Sequence, residues 1–212
     1  MTIHVIKPKL VTPIHSLPQY PEFRHIRQFW MPKRQRVAVK VVAGDYYVTE
    51  QDEVICTVLG SCVSTCIRDT QTGLGGINHF LLPDSDCDIL SSSNRYGVFA
   101  MEQLINAIIK YGGRRENFEI KIVGGGNMMT GVNDIGQRNI AFVQQFLETE
   151  GLAVKAMDVG GNQARRIQYI AKTGQLMVQK LKEGSNARTA ALELESQRSI
   201  QKQTDDDVEL FD

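Results

Sequence analysis

The residue types that could carry nucleophilic chemistry are four cysteines, Cys56, Cys62, Cys66 and Cys87, and one histidine, His79, the other three histidines falling within the first 40 residues. Thiolate is the attacking form of cysteine, and a neighbouring imidazolium favours it. Spacing selects the pair. If Asp69-Thr70-Gln71-Thr72 is a four-residue hairpin loop closed by Arg68 and Gly73, antiparallel partners have numbers summing to 141, and Cys62 stands opposite His79. Opposed residues share a sheet face with β-carbons about 5 Å apart. A bulge at Gly75-Gly76 would shift that register. A reading without chemistry stays open: a small buried thiol, and a hydrogen-bonded core histidine beside Asn78.

Other patterns are less specific. The spacings C-x5-C-x3-C and C-x20-C do not give two close ligand pairs of the structural-zinc kind. Gly124, Gly125 and Gly126, and Gly160-Gly161 before Asn162, follow strand-like runs, and their backbone amides suit a polar substrate group or an oxyanion. Tight turns explain them equally well. Neither cluster has the spacing of a nucleotide-binding loop. Arg165-Arg166 suits either a carboxylate clamp or a solvated surface.

The elements that must position these residues follow from periodicity. Strands are expected over Val54 to Leu59, from Val63 through Ile67, and from Gly75 to Leu82. Tyr96, Phe99, Ala100, Leu104, Ala107, Ile108 and Tyr111 have helical spacing over Asn94 to Tyr111, stopped by Gly112-Gly113. Phe118 to Val123 reads as a strand, Ile140, Val143, Phe146 and Leu147 as a helix ended by Gly151, and Val154 to Val159 as a strand. Arg166 to Ile170 and Gln175 to Lys180 flank a turn at Ala171-Lys172-Thr173-Gly174. This predicts an α/β (α+β) fold with a mixed, largely antiparallel sheet.

Net charge is zero, from 24 Lys+Arg against 24 Asp+Glu, but it is unevenly placed. Residues 1–40 hold eight bases against one acid and five of the six prolines, so a basic, extended N-terminal extension is expected, anchored locally by Tyr20, Phe23, Phe29 and Trp30. Residues 183–212 hold eight acids against three bases and read as an acidic, flexible tail. A single domain over 41–182 lies between them. No stretch approaches the roughly 18 apolar residues of a membrane span, and the N-terminus has no signal-peptide pattern, so a cytoplasmic protein with reduced thiols is expected. The basic arm also fits a single-strand nucleic-acid binder or an anionic membrane surface, although the core shows no basic excess, and no nucleic-acid partner is expected.

The run Leu59-Gly60-Ser61-Cys62-Val63, with Gly75-Gly76-Ile77-Asn78-His79-Phe80-Leu81-Leu82-Pro83, strongly resembles the chemoreceptor glutamine deamidase family, CheD. The resemblance continues in order through Gly44-Asp45-Tyr46-Tyr47, Ile122-Val123-Gly124-Gly125-Gly126-Asn127-Met128, Asn133, Ile135-Gly136, Arg138-Asn139, Asp158 to Arg165 and Thr173-Gly174, over roughly residues 41–181. It implies a layered α/β sandwich similar to the catalytic domains of deamidating toxins. It also implies a cysteine amidohydrolase, needing no metal or organic cofactor, that converts receptor glutamines to glutamate. Cys62 falls in the nucleophile position and His79 in the histidine position. The family's third group is a threonine shortly before the cysteine; the resemblance puts Cys56 in its place, and since a thiol orients an imidazole less well than a hydroxyl, either Thr57 serves from one position away or backbone groups do, Thr57 being the expected residue. Ser61, Asn78, Gly124, Gly125, Gly126, Asn162 and Arg165 are the expected substrate-contacting residues. The implied partners are the cytoplasmic helices of methyl-accepting chemotaxis receptors, which would hold the protein peripheral to the membrane, and a chemotaxis phosphatase of the CheC type. A non-enzymatic adaptor that docks on the same partners is the alternative.

Overall fold

In a computed structural model of the chain, the residues described are 20–82, 92–127 and 135–182. Among them the chain forms strands β1 (Arg27–Met31), β2 (Arg36–Lys40), β3 (Tyr46–Thr49), β4 (Val54–Leu59), β5 (Val63–Asp69) and β6 (Gly75–Asn78). Helix α1 (Ser92–Lys110), strand β7 (Phe118–Gly124), helix α2 (Ile135–Thr149) and strands β8 (Val154–Val159), β9 (Arg165–Ile170) and β10 (Gln175–Lys180) follow. The strands make two five-stranded sheets, ordered β1-β2-β4-β9-β10 and β3-β6-β5-β7-β8. Each has one parallel pair, β2 with β4 and β7 with β8, and is otherwise antiparallel. The fold is thus the expected mixed, largely antiparallel α+β sandwich, its strands divided between two sheets.

Alternation explains how the layers stack. In β4, Ile55, Thr57 and Leu59 are buried while Cys56 and Val58 are half-buried on the opposite face, the period-two pattern of a strand with one face in the core. Ile55, Leu59, Ile167 and Tyr169 of the first sheet share one apolar core with Ile67 and Ile120 of the second. The helices pack on the second sheet: α1 contacts β3, β6 and β5, and the Asn78 amide on β6 donates to Ala100 O of α1 at 3.1 Å. In α2, Ile140, Val143 and Leu147 are buried at helical spacing, as the sequence predicts. In α1, Phe99 is 56% exposed and faces away from the core, which Met101 and Ile105 help to fill instead.

The N-terminal segment differs from its prediction. Residues 27–40 form a hairpin inside the first sheet, and Phe23, Ile26 and Val39 belong to the main core, so the expected boundary after Lys40 cuts through folded structure. The prolines are accommodated outside the ladders: Pro21 opens a short 3-10 turn, and Pro32 sits in the β1–β2 turn. Anchoring is as expected at Tyr20, which stacks on Tyr111 with ring centroids 3.5 Å apart, and at Phe23. The acidic tail at 183–212 and Cys87 lie outside the described residues.

The hairpin joining β5 to β6 is displaced by two from the expected register. Cys66 pairs with Ile77, Ile67 with Gly76 and Arg68 with Gly75, so partners sum to 143. The reason is local. The Asp69 carboxylate accepts the amides of Gln71 (2.7 Å) and Thr72 (3.1 Å), and Gly73, at φ +77°, belongs within the turn, where that conformation favours glycine. The loop is therefore closed by Asp69 and Leu74, whose N and O are 2.8 Å apart. No bulge interrupts the paired residues at Gly75-Gly76. A β-carbon on Gly76 would stand 1.8 Å from Tyr47 O, so these glycines serve close approach of three strands.

Candidate active site

Cys62 and His79 lie just outside the regular strands, either side of the bridge between Val63 and Phe80, whose amides and carbonyls exchange bonds of 3.0 Å. With that pairing, His79 stands opposite Ser64 and Cys62 opposite Leu81. The expected direct opposition of Cys62 and His79 is corrected to a diagonal. A register change of two keeps every side chain on its face, so the two residues still share one, and diagonal neighbours remain within about 7–8 Å. Both are buried, Cys62 at 0% and His79 at 4% exposure.

His79 is fixed from two directions. Its backbone is held by the segment before β3: His79 N donates to Asp45 O at 2.9 Å, and Gly44 N donates to His79 O at 2.8 Å. Its ring crosses the sandwich to β4, where Thr57 Oγ1 lies 2.8 Å from Nδ1 in buried surroundings. Position 57 reaches the ring because it shares the inward face with Ile55 and Leu59. Cys56 points the other way, its thiol pushed up by burial and pulled back by Lys40 and Arg166. Of the two residues considered for the third role, the structure brings Thr57 to the histidine.

The glycine run supports Cys62 from below. Gly125 N donates to Cys62 O and Gly126 N to Gly60 O, both at 2.7 Å, and a β-carbon on Gly124 would stand 2.2 Å from Cys62 O. The expected substrate-holding role of Gly125 and Gly126 is therefore corrected, because their amides are already engaged by the cysteine loop. Gly124 is a β7 residue paired with Val63.

Three other expected substrate contacts hold bonds within the fold. Asn78 Oδ1 accepts Thr65 N at 2.8 Å and its amide turns to α1, away from the histidine face. Arg165, 2% exposed, donates to Asp158 Oδ1 (3.0 and 3.1 Å), Gly160 O (2.7 Å) and Gln163 O (3.1 Å), and so clamps its own loop. Ser61 contributes its carbonyl, which accepts from Asn139 Nδ2 at 2.9 Å. Asn162 is exposed on that loop.

Sequence reasoning gave no site role to Asn139 or Tyr96. Tyr96, read only as part of a helical apolar face, has its phenol pushed up to about 12, by burial first and then by negative charge at Cys62 and Asp45. Both groups therefore lie in the electrostatic neighbourhood of one phenol. Asp45 is itself raised by burial, opposed by His25, whose Nε2 is 3.9 Å from Oδ1. Cys66, fully buried, has its thiol pushed up to about 12 by burial, the state of an inert structural cysteine.

A family model described as CheD chemotactic sensory transduction matches residues 81–180. A protein of Halorhodospira halophila is 42% identical over 199 residues, 90% of this chain and 92% of its own length. One of Hahella chejuensis is 45% identical over 166 residues, covering 76% of this chain and 79% of its own, and one of Methylobacillus flagellatus is 47% identical over 155, covering 70% and 76%. Each bears the name "Probable chemoreceptor glutamine deamidase CheD". With 42% identity across nine-tenths of its length, the chain belongs to the chemoreceptor glutamine deamidase CheD family.

Proposed function

We propose that this protein is a cysteine-dependent protein-glutamine amidohydrolase that converts glutamines of methyl-accepting chemotaxis receptors to glutamate in the cytoplasm. The observation that carries the reading is the buried 2.8 Å contact between Thr57 Oγ1 and His79 Nδ1, on the sheet face that Cys62 shares. Burial alone asks for a hydrogen-bond partner on the imidazole; what favours chemistry is that this partner orients the ring beside a thiol. With Nδ1 held by Thr57, Nε2 is the nitrogen through which protons are exchanged.

In the first step the Cys62 thiolate adds to the carboxamide carbon of a substrate glutamine, and negative charge moves to the carboxamide oxygen, where the backbone N–H of Cys62 is the natural donor. Collapse of this tetrahedral species breaks the C–N bond, and imidazolium at His79 gives its proton to the departing nitrogen, releasing ammonia and leaving a thioester. Neutral His79 then takes a proton from water, hydroxide equivalent adds to the thioester carbon, and thiolate leaves. The products are glutamate and ammonia. Each turnover adds one negative charge to the receptor helix.

The same proposal includes a chemotaxis phosphatase of the CheC type as a second partner. The test is incubation of the purified protein with receptor cytoplasmic domains, followed by site-resolved mass spectrometry and ammonia measurement. Glutamate at defined glutamine positions with matching ammonia supports the enzyme; stable binding without conversion would replace it with the adaptor.

A further inference from the structure

Asn139 lies on the first turns of α2 and is completely buried. An amide is an expensive residue to bury unless both of its ends are paired, and a leucine is the usual occupant of such a helix face. Both ends are paired, to two segments far apart in sequence. Nδ2 donates to Ser61 O at 2.9 Å, immediately before Cys62, and Oδ1 accepts from Leu82 N at 2.9 Å, three residues after His79. One side chain thus ties the nucleophile's loop to the histidine's segment.

The Ser61 bond completes a series. The carbonyls of Gly60, Ser61 and Cys62, three in succession, accept from Gly126 N, Asn139 Nδ2 and Gly125 N. Because a trans peptide is planar, fixing the Ser61 oxygen also fixes the direction of the Cys62 N–H at the other side of the same plane. A donor at that oxygen further polarises the peptide and strengthens the N–H as a donor. Of the three donors, Asn139 is the one supplied by a side chain, so it can be altered without touching the loop.

We propose that Asn139 is a positioning residue for the deamidation, holding the Ser61–Cys62 peptide so that its N–H is aimed at the developing oxyanion. This rests on the reading of Cys62 as nucleophile. The α2 helix is then part of the active-site framework, although no residue of it is assigned to touch substrate.

The test compares two reactions of the same thiol. Deamidation builds an oxyanion; alkylation by iodoacetamide, which carries a primary carboxamide of similar size, displaces iodide and builds none. The ratio of their rates cancels changes in thiolate population and access. Asn139→Asp keeps the shape and the acceptor for Leu82 N but sets an oxygen against Ser61 O, and Asn139→Leu is the neutral counterpart. In either folded variant the ratio should fall roughly 10- to 100-fold through kcat with KM little changed, somewhat less than the ~10²–10³-fold for deleting an oxyanion donor, since the donor remains but is no longer held. A parental ratio in a folded variant overturns the proposal. Unfolding of both variants also overturns it and assigns Asn139 to stability alone. Failure of Cys62 alkylation to block turnover in the unaltered protein would instead bring down the cysteine reading itself.

Discussion

Replacing Thr57 with valine keeps the β-branched shape and volume of a buried strand residue and removes only the oxygen 2.8 Å from His79 Nδ1. Leaving a buried donor or acceptor unpaired costs about 1–3 kcal/mol. If that cost falls on the productive orientation of the ring, then at about 1.36 kcal/mol per tenfold the turnover number drops roughly 5- to 150-fold. KM should hold, because Thr57 is placed behind the imidazole and away from substrate. Thr57→Ser, which restores a hydroxyl at the same position, should recover most of the rate. Cys56→Ala should stay near the parental rate, since that thiol lies on the outward face of β4. Ammonia release from receptor peptides, with thermal unfolding as a control for equal stability, measures all three. A Thr57→Val protein at full rate, or a larger loss in Cys56→Ala, would refute the assignment of the histidine's partner.

Deleting residues 1–40 should unfold the protein rather than merely weaken docking: Phe23, Ile26 and Val39 alone bury side chains worth about 5–9 kcal/mol together, against a typical total of about 5–15 kcal/mol, and urea unfolding reports it. Gly124→Ala should lose both activity and stability, because a β-carbon there meets Cys62 O at 2.2 Å and φ is +116°; a folded, fully active variant would contradict the packing. Glu119 should stabilise the fold in a pH-dependent way. Burial raises its carboxyl, but the bonds from Lys155 and Arg68 and the charges of Arg68 and Lys121 outweigh this and hold it at about 2. A depressed carboxyl contributes fully above its ordinary value near 4.5 and loses that contribution as pH falls to about 2, so the stability deficit of Glu119→Gln should be largest at neutral pH and vanish across that window.

Strand β5 and helix α2 were legible because their inward residues repeat at two or near 3.6, Val63, Thr65 and Ile67 in the one and Ile140, Val143 and Leu147 in the other. β1 and β2 were not: they carry Arg27, Arg36 and Lys40 on an outer hairpin of the first sheet, where half-exposed positions tolerate charge, so composition resembled a solvated arm. The β5–β6 register depended on whether Gly73 closes or occupies the turn, which the Asp69 side chain decides through bonds invisible in a residue count. The expected direct opposition of Cys62 and His79 was lost with that register, although a shift of two leaves their strand parity unchanged. Thr57 was readable in principle from strand parity, whereas Asn139 was not, since its meaning comes from two backbone groups, at Ser61 and Leu82, that only the tertiary fold brings together.

The nucleophilic role of Cys62 is measured most directly by receptor-glutamine deamidation with Cys62→Ala, verified as folded by its unfolding transition. Cys66→Ala serves as the comparison because that thiol is buried and held up at about 12. The first protein should show no detectable conversion, and the second should retain it. Conversion by folded Cys62→Ala at the parental rate would contradict that role.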